Sequence, residues 1–212
     1  MMRRLMREYS FLLILIVLIR EISLPYFMGF FSANSKIQLL SELGSNKFPF
    51  HQAFDRWEFI DGILFMLGAY YIYLWAQRQA ASRYAKPLAL LVALYGLGDC
   101  LLTSMFVYSG STFANWHSFL HSIASVLGYL GLYLANLLIA KIKHDNRFLV
   151  AVIGVSQLLS LGLNLLMESP LVTKASTVGL LQCVALDLMY LPLLILACLE
   201  LHHKLALIRV HN

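Results

Sequence analysis

The stretch PLALLVALYGLGDCLLTSMFVY, residues 87–108, is almost wholly apolar and contains one charged residue, Asp99. A helix needs about 20 mostly apolar residues to cross the hydrocarbon core of a bilayer. This length and composition therefore predict a membrane-spanning helix. Five other runs meet the same criterion, which predicts six spans, at residues 10–31, 57–76, 87–108, 117–140, 148–167 and 178–200.

The composition of the whole chain is that of an integral membrane protein. The 212 residues are 60% hydrophobic and 13% charged, and the mean hydropathy is +0.73. A soluble domain would carry roughly twice that charged fraction. The net charge of +5 lies in short clusters between apolar runs and forms no basic face, which argues against a nucleic-acid partner. We therefore expect one all-α transmembrane domain over residues 1–212, surrounded by membrane lipid.

The first apolar run is too long for the core of a signal peptide, and no small-x-small cleavage site follows it, so we interpret it as the first span. Basic residues then predict the orientation, because cytoplasmic loops carry most Lys and Arg. Both termini are predicted to be cytoplasmic, in the inner membrane of the cell, with loops 32–56, 109–116 and 168–177 facing outward. The basic residues on the predicted inner side are Arg3, Arg4, Arg7, Arg78, Arg83, Lys86, Lys141, Lys143, Arg147, Lys204 and Arg209; the outer side has Lys36, Lys47, Arg56 and Lys174.

The outer loop 32–56 has a helical pattern of its own. The segment SKIQLLSEL, residues 35–43, begins with Ser35 and Gln38 at capping-box spacing and continues with several apolar residues. This pattern predicts a short helix at the outer membrane interface, with a partly ordered loop as the alternative. Gly44 and Pro49 would end such a helix.

Several polar residues fall inside the predicted spans, where an ionisable group costs about 2.5–3.5 kcal/mol at mid-helix. Such residues usually face other helices and often have a function. By position along the spans, they concentrate between the midplane and the outer surface. This distribution predicts an outward-facing polar cavity, although a compact bundle whose polar groups satisfy one another is the alternative. The predicted ligand-binding residues are Arg20, Glu21, Asp61, Asp99, His117, His121, Asn164 and Asp187.

The depths and partners of these groups can also be predicted. Glu21, Asp99 and Asp187 lie near the middle of their spans, whereas Asp61 is expected about one turn inside the outer end. Arg20 and Glu21 are adjacent and point about 100° apart, so we expect Arg20 to pair with Asp99 or Asp187 on a neighbouring helix. Asp99 could carry a proton if it is buried without a partner, or it could accept a structural hydrogen bond.

Two spans carry stripes of small and polar residues. Ser156, Ser160, Asn164 and Glu168 follow one face of the fifth span at intervals of four residues. The fourth span has a similar face, and both favour close packing between helices over a binding role. The residues of the fourth span are Ser118, His121, Ser122, Ser125 and Gly128.

The fourth span opens with NWHSFLHSIAS, residues 115–125, in which His117 and His121 share one helical face. Two imidazoles at this spacing could hold one metal ion, with zinc the natural candidate and a third ligand from His51, Asp61 or Asp99. Alternatively, His117 lies at the interface beside Trp116 and His121 hydrogen-bonds another span.

No cofactor-binding or catalytic signature is present, and no catalytic residue can be assigned. Cys100, Cys183 and Cys198 lie in apolar runs without metal-binding spacing, so we interpret them as buried small hydrophobic residues. The sequence leaves three functions open. The first is a non-enzymatic protein whose cavity binds a lipid head group or small ligand. The second is a metal-dependent intramembrane lipid hydrolase using His117, His121 and Asp99, with Asp61 as a base or supporting group. The third is a proton-coupled carrier.

Three stretches together resemble the bacterial and archaeal membrane family called domain of unknown function 998. They are LLSELGSNKFPFHQAFDRWEFIDGILFMLGAYYIY (39–73), LYGLGDCLLTSMFVYSGSTFANWHSFLHSIAS (94–125) and GLLQCVALDLMYLPLLI (179–195). The motif SELG at Ser41–Gly44 and the histidine near the fourth span are the sharpest points of similarity. The chain departs from the family pattern in FVYSGSTFANW, residues 106–116, and at Cys183, where the family often has arginine. The resemblance implies six spans and no established reaction.

Overall fold

The computed structural model describes residues 10–30, 39–79, 82–167 and 178–210, and the side chains of all of these except 28–30 and 207–210. This part of the chain contains six helices that are long and apolar enough to cross a membrane, as predicted. All the regular secondary structure in these ranges is helical. The helices are α1 (Ser10–Phe30), α2 (His51–Ala76), α3 (Ala85–Met105), α4 (Trp116–Ile142), α5 (Arg147–Met167) and α6 (Val178–Val210).

Helix α3 changes its winding halfway along. It is α-helical over Ala85–Tyr95, π-helical over Gly96–Leu102, and ends with one α-helical turn at Thr103–Met105. A π-helical segment widens the turn and changes which residues face a neighbouring helix, and such segments are frequent at functional sites. The segment GLGDCLL contains Asp99 and Cys100, so the directions in which both side chains point depend on this local change.

Asparagine side chains begin two of the helices. Asn115 precedes α4 in an extended conformation, and its side-chain oxygen accepts a hydrogen bond from the Ser118 backbone N–H at 2.9 Å. Asn146 precedes α5, and its side-chain oxygen accepts from the Leu149 backbone N–H at 3.0 Å. Both bonds satisfy N–H groups that a helix start would otherwise leave without a partner.

The predicted short helix between the first two spans is present, in its described part, as a 3-10 helix over Leu40–Gly44. Its start at Ser35 and Gln38 lies outside the described residues. Leu40 and Leu43 are buried, so the helix covers one end of the bundle with its apolar face turned inward. Residues 39–50 and 106–115 meet at this end, which we call the covered end; the Lys and Arg distribution predicts that it faces outward.

Five helices, α1, α2, α3, α4 and α6, pack in a closed ring. Helix α3 contacts α2 and α4, α1 contacts α2 and α6, and α5 packs mainly on α6. Tyr95 and Tyr190 are fully buried at the centre, where the ring of Phe65 lies 4.7 Å from that of Tyr95. The core therefore continues through most of the bundle, and the polar side chains described below interrupt it near the covered end.

Two boundaries differ from the prediction. Helix α2 begins at His51, six residues before the predicted start at 57, because Phe54 is buried in the bundle and extends the packed face into the outer loop. Helix α6 continues to Val210, well beyond 200, with His202 and His203 exposed at its end. The earlier start of α2 changes the depth of every polar residue that this helix carries.

Two residues of the predicted polar stripe of α5, Ser156 and Ser160, lie in a packing surface, as their spacing favours; Asn164 is half-buried, and Glu168 lies outside the described residues. Ser156, Gln157 and Ser160 are buried, and the Ser160 hydroxyl donates to the Ala185 carbonyl of α6 at 2.8 Å. The large apolar side chains of α5 that point away from α6 are exposed, which suits contact with lipid.

Candidate functional site

A small cavity lies between five of the helices, beneath the 3-10 helix at the covered end. Its volume is about 50 Å³, and α1, α2, α3, α4 and α6 all contribute to its walls. Among the predicted residues, Glu21, Asp99 and His121 line it. The full lining consists of Glu21, Pro25, Leu40, Ser41, Phe54, Trp57, Glu58, Asp99, Cys100, Thr103, His121, Ser125, Tyr129, Gln182 and Leu186.

Asp99 reaches the cavity from the π-helical part of α3. Its Oδ1 atom accepts a hydrogen bond from the Ser125 hydroxyl of α4 at 2.5 Å. A β-carbon added at Gly98 would lie 2.5 Å from the Ala124 carbonyl oxygen, and one added at Gly128 would lie 2.6 Å from the Asp99 nitrogen. The predicted close approach of a neighbouring backbone at GLGDC is therefore confirmed, and the glycines bring the Asp99 carboxylate within reach of Ser125.

His121 lies in the wall of the cavity and is buried. Its Nδ1 atom is 2.7 Å from the Phe106 carbonyl oxygen and 3.2 Å from the Thr103 carbonyl oxygen. A carbonyl can only accept, so Nδ1 carries a hydrogen and donates it. These bonds satisfy carbonyls at the end of α3 and join that end to α4, which agrees with the alternative that His121 hydrogen-bonds another span.

Glu21 is held by two tyrosines that the sequence analysis did not identify. The hydroxyls of Tyr95 and Tyr190 each donate to Glu21 Oε1 at 2.9 Å, and the two hydroxyls also contact each other. The second oxygen, Oε2, is buried and has no hydrogen-bond partner within the described ranges. Pro25 lies one turn further along α1 and leaves the Glu21 carbonyl without its usual backbone donor.

Glu58 is the carboxylate that the prediction missed. It lines the cavity from α2 and makes no hydrogen bond within the described part of the chain. The predicted span 57–76 placed Glu58 at its edge. Because α2 in fact begins at His51, Glu58 lies two turns inside the helix. Its spacing of three residues from Asp61, in WEFID, was the available signal, since residues three apart share a helical face.

Gln182 and Tyr129 complete the polar lining. The Gln182 side-chain oxygen accepts from the Leu40 backbone N–H at 2.8 Å, which holds the 3-10 helix over the cavity. Both residues lie in otherwise apolar runs, GLLQCVAL and GYLGLYL, where a single amide or phenol is weak evidence of a site.

Four predicted residues lie elsewhere, in addition to Asp61, which is described below. Asp187 accepts a hydrogen bond from the Tyr26 hydroxyl, and Asn164 donates to the Ser160 carbonyl of its own helix at 2.9 Å. His117 is exposed, and its ring lies 3.7 Å from the ring of Trp116, as the interfacial alternative expects. The fourth is Arg20.

The ion pair predicted between Arg20 and Asp99 or Asp187 is not formed among the described residues. The Arg20 guanidinium instead lies 5.6 Å from the centre of the Trp57 ring, a cation–π contact between α1 and α2. The carboxylates of Asp99 and Asp187 each accept a hydrogen bond from a hydroxyl on another helix instead. Arg20 is not among the residues that line the cavity.

Asp61 is much deeper than predicted. It is the eleventh residue of α2, about 15 Å along the helix at 1.5 Å per residue, and it is fully buried. Neither carboxylate oxygen has a hydrogen-bond partner in the described part of the chain. Potential ligand atoms of Glu21, Asp61 and Cys100 all lie within 4.8 Å of one another. This group shares no residue with the predicted metal-binding pair, His117 and His121. Metal binding by that pair stays a prediction.

The cavity is strongly acidic. Glu21, Glu58 and Asp99 reach it from three different helices, and His121 is the one basic side chain among its described lining residues. No lysine or arginine of the described ranges lines it. A positively charged group would therefore find three carboxylates within one small, mostly apolar enclosure.

The comparisons with known proteins give one match. No curated protein and no solved structure matches the chain. The model of the family described as "Protein of unknown function (DUF998)" matches residues 27–199, which include α2 to α5 and most of α6. The resemblance seen in the sequence is confirmed, and the chain belongs to the DUF998 family of proteins of unknown function.

Proposed function

We propose that this multi-pass membrane protein binds the ammonium group of an amine in the cavity at its covered end. The observation that carries this function is the charge of the lining: three carboxylates and no lysine or arginine among the described residues. Because a carboxylate in apolar surroundings gains free energy from a cationic partner, the cavity selects positive over neutral or negative groups.

The size of the cavity limits which part of a ligand it holds. A water molecule needs about 10–15 Å³ of such volume, so 50 Å³ accepts roughly three to five waters or one small ammonium group. An entire phospholipid head group is too large. The ammonium group would therefore enter the cavity while the rest of the ligand extends past the 3-10 helix.

Glu58 and Asp99 are the carboxylates best placed to receive this group. Glu58 makes no hydrogen bond within the described ranges, and Asp99 is bonded through one oxygen to a single hydroxyl. Glu21 is already held by two tyrosines. The rings of Phe54 and Trp57 also line the cavity and favour a cation over a neutral group.

Two sources could supply such an ammonium group. One is a membrane lipid with an ethanolamine head group, which could approach along the helices, and the other is a free amine from the aqueous side. We place the protein in the cytoplasmic membrane with this end outward, as the distribution of Lys and Arg indicates.

Isothermal titration of the full-length protein in detergent tests this function and separates the two sources. The titrants are free ethanolamine, a short-chain phosphatidylethanolamine and the matching phosphatidylglycerol. Binding of free ethanolamine indicates a soluble amine, and binding of the phosphatidylethanolamine alone indicates the lipid. If both amines fail to bind, or if the phosphatidylglycerol binds as well as they do, the proposed function is wrong.

Isosteric variants locate the binding group. Hydrogen bonds to charged groups contribute about 1.5–3 kcal/mol, so Glu58→Gln and Asp99→Asn should each weaken amine binding about 10- to 100-fold. Asp145→Asn is the matched control, because the Asp145 side chain is 92% exposed between α4 and α5. Equal affinities of all three variants would place the ligand outside this cavity.

A further inference from the structure

A second cluster of ionisable groups lies at the inner wall of the cavity. Glu21 comes from α1, Asp61 from α2 and Cys100 from the π-helical part of α3, and their nearest ligand atoms all lie within 4.8 Å of one another. The three residues are 8%, 0% and 2% exposed, respectively. Three separate helices thus bring two carboxyl groups and a thiol to one point in the core.

Three of the four carboxyl oxygens in this cluster lack partners among the described residues. Glu21 Oε2 and both oxygens of Asp61 are buried and form no hydrogen bond with any residue that the structure describes. Leaving a buried polar group without a partner costs about 1–3 kcal/mol, and more if the group is charged. Two carboxylates that face each other in apolar surroundings therefore need protons or a cation between them.

The surroundings of Glu21 orient the unpartnered oxygen. Tyr95 and Tyr190 both donate to Oε1, at 2.9 Å each, and so fix the plane of the carboxylate. Metal-binding carboxylates are commonly held through one oxygen by such hydrogen bonds, while the other oxygen binds the ion. In Glu21, Oε2 has no such donor among the described residues and is therefore the oxygen left to bind an ion.

We infer that Glu21, Asp61 and Cys100 form a binding site for a divalent transition metal, with zinc the best match. Zinc binds thiolate sulfur at about 2.3 Å and carboxylate oxygen at about 2.0–2.2 Å, whereas calcium and magnesium take oxygen ligands. The thiol releases its proton when the ion binds. Small rotamer changes would draw the three side chains together around the ion.

The number and placement of ligands define the kind of site. Three protein ligands leave the fourth tetrahedral position of zinc open, as in catalytic rather than structural zinc sites. Glu21 and Cys100 also line the cavity, so the site adjoins it. A water or a ligand group in the cavity could therefore reach the ion directly.

The metal site shares Glu21 with the cavity lining, but the two sites can be tested separately. Asp61 is not part of the cavity lining, and amine recognition rests on Glu58 and Asp99. Loss of metal in an Asp61 variant, with amine affinity retained, would separate the two sites. Failure of either one leaves the other standing.

Metal content of the purified full-length protein is the first test. The protein is incubated with zinc sulfate, desalted and measured by mass spectrometry of the metal. The site predicts about one zinc per chain, falling below about a tenth in Asp61→Asn and Cys100→Ser. Asp145→Asn and Cys198→Ser are matched controls, since the side chains of Asp145 and Cys198 are exposed, and they should keep the metal.

Cobalt spectroscopy gives a result that does not depend on whether the buried variants fold. Cobalt that is bound by Cys100 must show thiolate-to-metal charge-transfer absorption. This absorption is expected both in the unaltered protein and in Cys198→Ser. Less than about a tenth of an equivalent of zinc in the unaltered protein, or bound cobalt without that absorption, overturns the site and leaves protons as the partners of the two carboxyl groups.

Discussion

Replacing Gly128 with alanine should force α4 away from the π-helical part of α3. A β-carbon at this position would lie 2.6 Å from both the backbone nitrogen and the β-carbon of Asp99. Ordinary van der Waals contact begins near 3.4 Å, so the two helices would have to separate by about 0.8 Å. Both contacts are at or next to the backbone, and no side-chain rotation can relieve them.

The expected loss of stability follows from this geometry. Overpacking a core costs about 1–3 kcal/mol, and a clash with the backbone belongs in the upper part of that range. We expect Gly128→Ala to lower the free energy of unfolding by about 2–3 kcal/mol, which is about 30- to 140-fold in the folding equilibrium. The same movement would draw Ser125 away from Asp99, so amine binding in the cavity should weaken as well.

Unfolding in mixed detergent micelles measures the effect. The matched control is Gly154→Ala in α5, where an added β-carbon meets no atom within 4 Å. Alanine favours a helix over glycine by up to about 1 kcal/mol, so this control should be as stable as the unaltered protein or slightly more so. If Gly128→Ala is no less stable than Gly154→Ala, the close contact of α3 and α4 is refuted.

Two further changes test other parts of the bundle by the same unfolding assay. Asn136 is fully buried and donates to the Met189 carbonyl of α6 at 2.8 Å, so Asn136→Ala should cost about 1–2 kcal/mol. Asn164→Ala should cost less because, among the described residues, Asn164 bonds only within its own helix; equal losses would contradict the contact between α4 and α6. Burial raises the pKa of Glu42, in the 3-10 helix, above its usual 4.5. Its ionisation therefore opposes folding, and the stability of the unaltered protein relative to Glu42→Gln should fall as the pH rises above about 4.5; a difference that stays constant with pH would contradict this.

Much of the fold follows from local patterns. Each of the six long helices could be predicted because about 20 consecutive apolar residues have few alternatives to a membrane-spanning helix. GLGDC also indicated a close backbone contact, since a helical glycine in a span usually marks one. The serine spacing in α5 indicated a packing face, and Ser160 forms that contact with α6.

The candidate site was predicted only in part. Glu21, Asp99 and His121 do meet in one cavity, but Glu58 was missed and Asp61 was placed too near the surface. Both errors arise from the start of α2, where polar residues such as His51 and Asp55 hide the helix from a hydropathy pattern. The buried face of that first turn is defined by contacts with other helices.

The sequence by itself determined that the chain spans a membrane six times and belongs to the DUF998 family, because hydrophobicity over 20 residues and family motifs are properties of neighbouring positions. Only the tertiary structure decided which polar groups meet. Arg20 contacts Trp57 while Glu21 contacts Tyr95 and Tyr190, since neighbours in sequence point in different directions on a helix. The π-helical turn of α3 further changes the direction of Asp99 and Cys100, and it is the packing of glycine against backbone that fixes this turn.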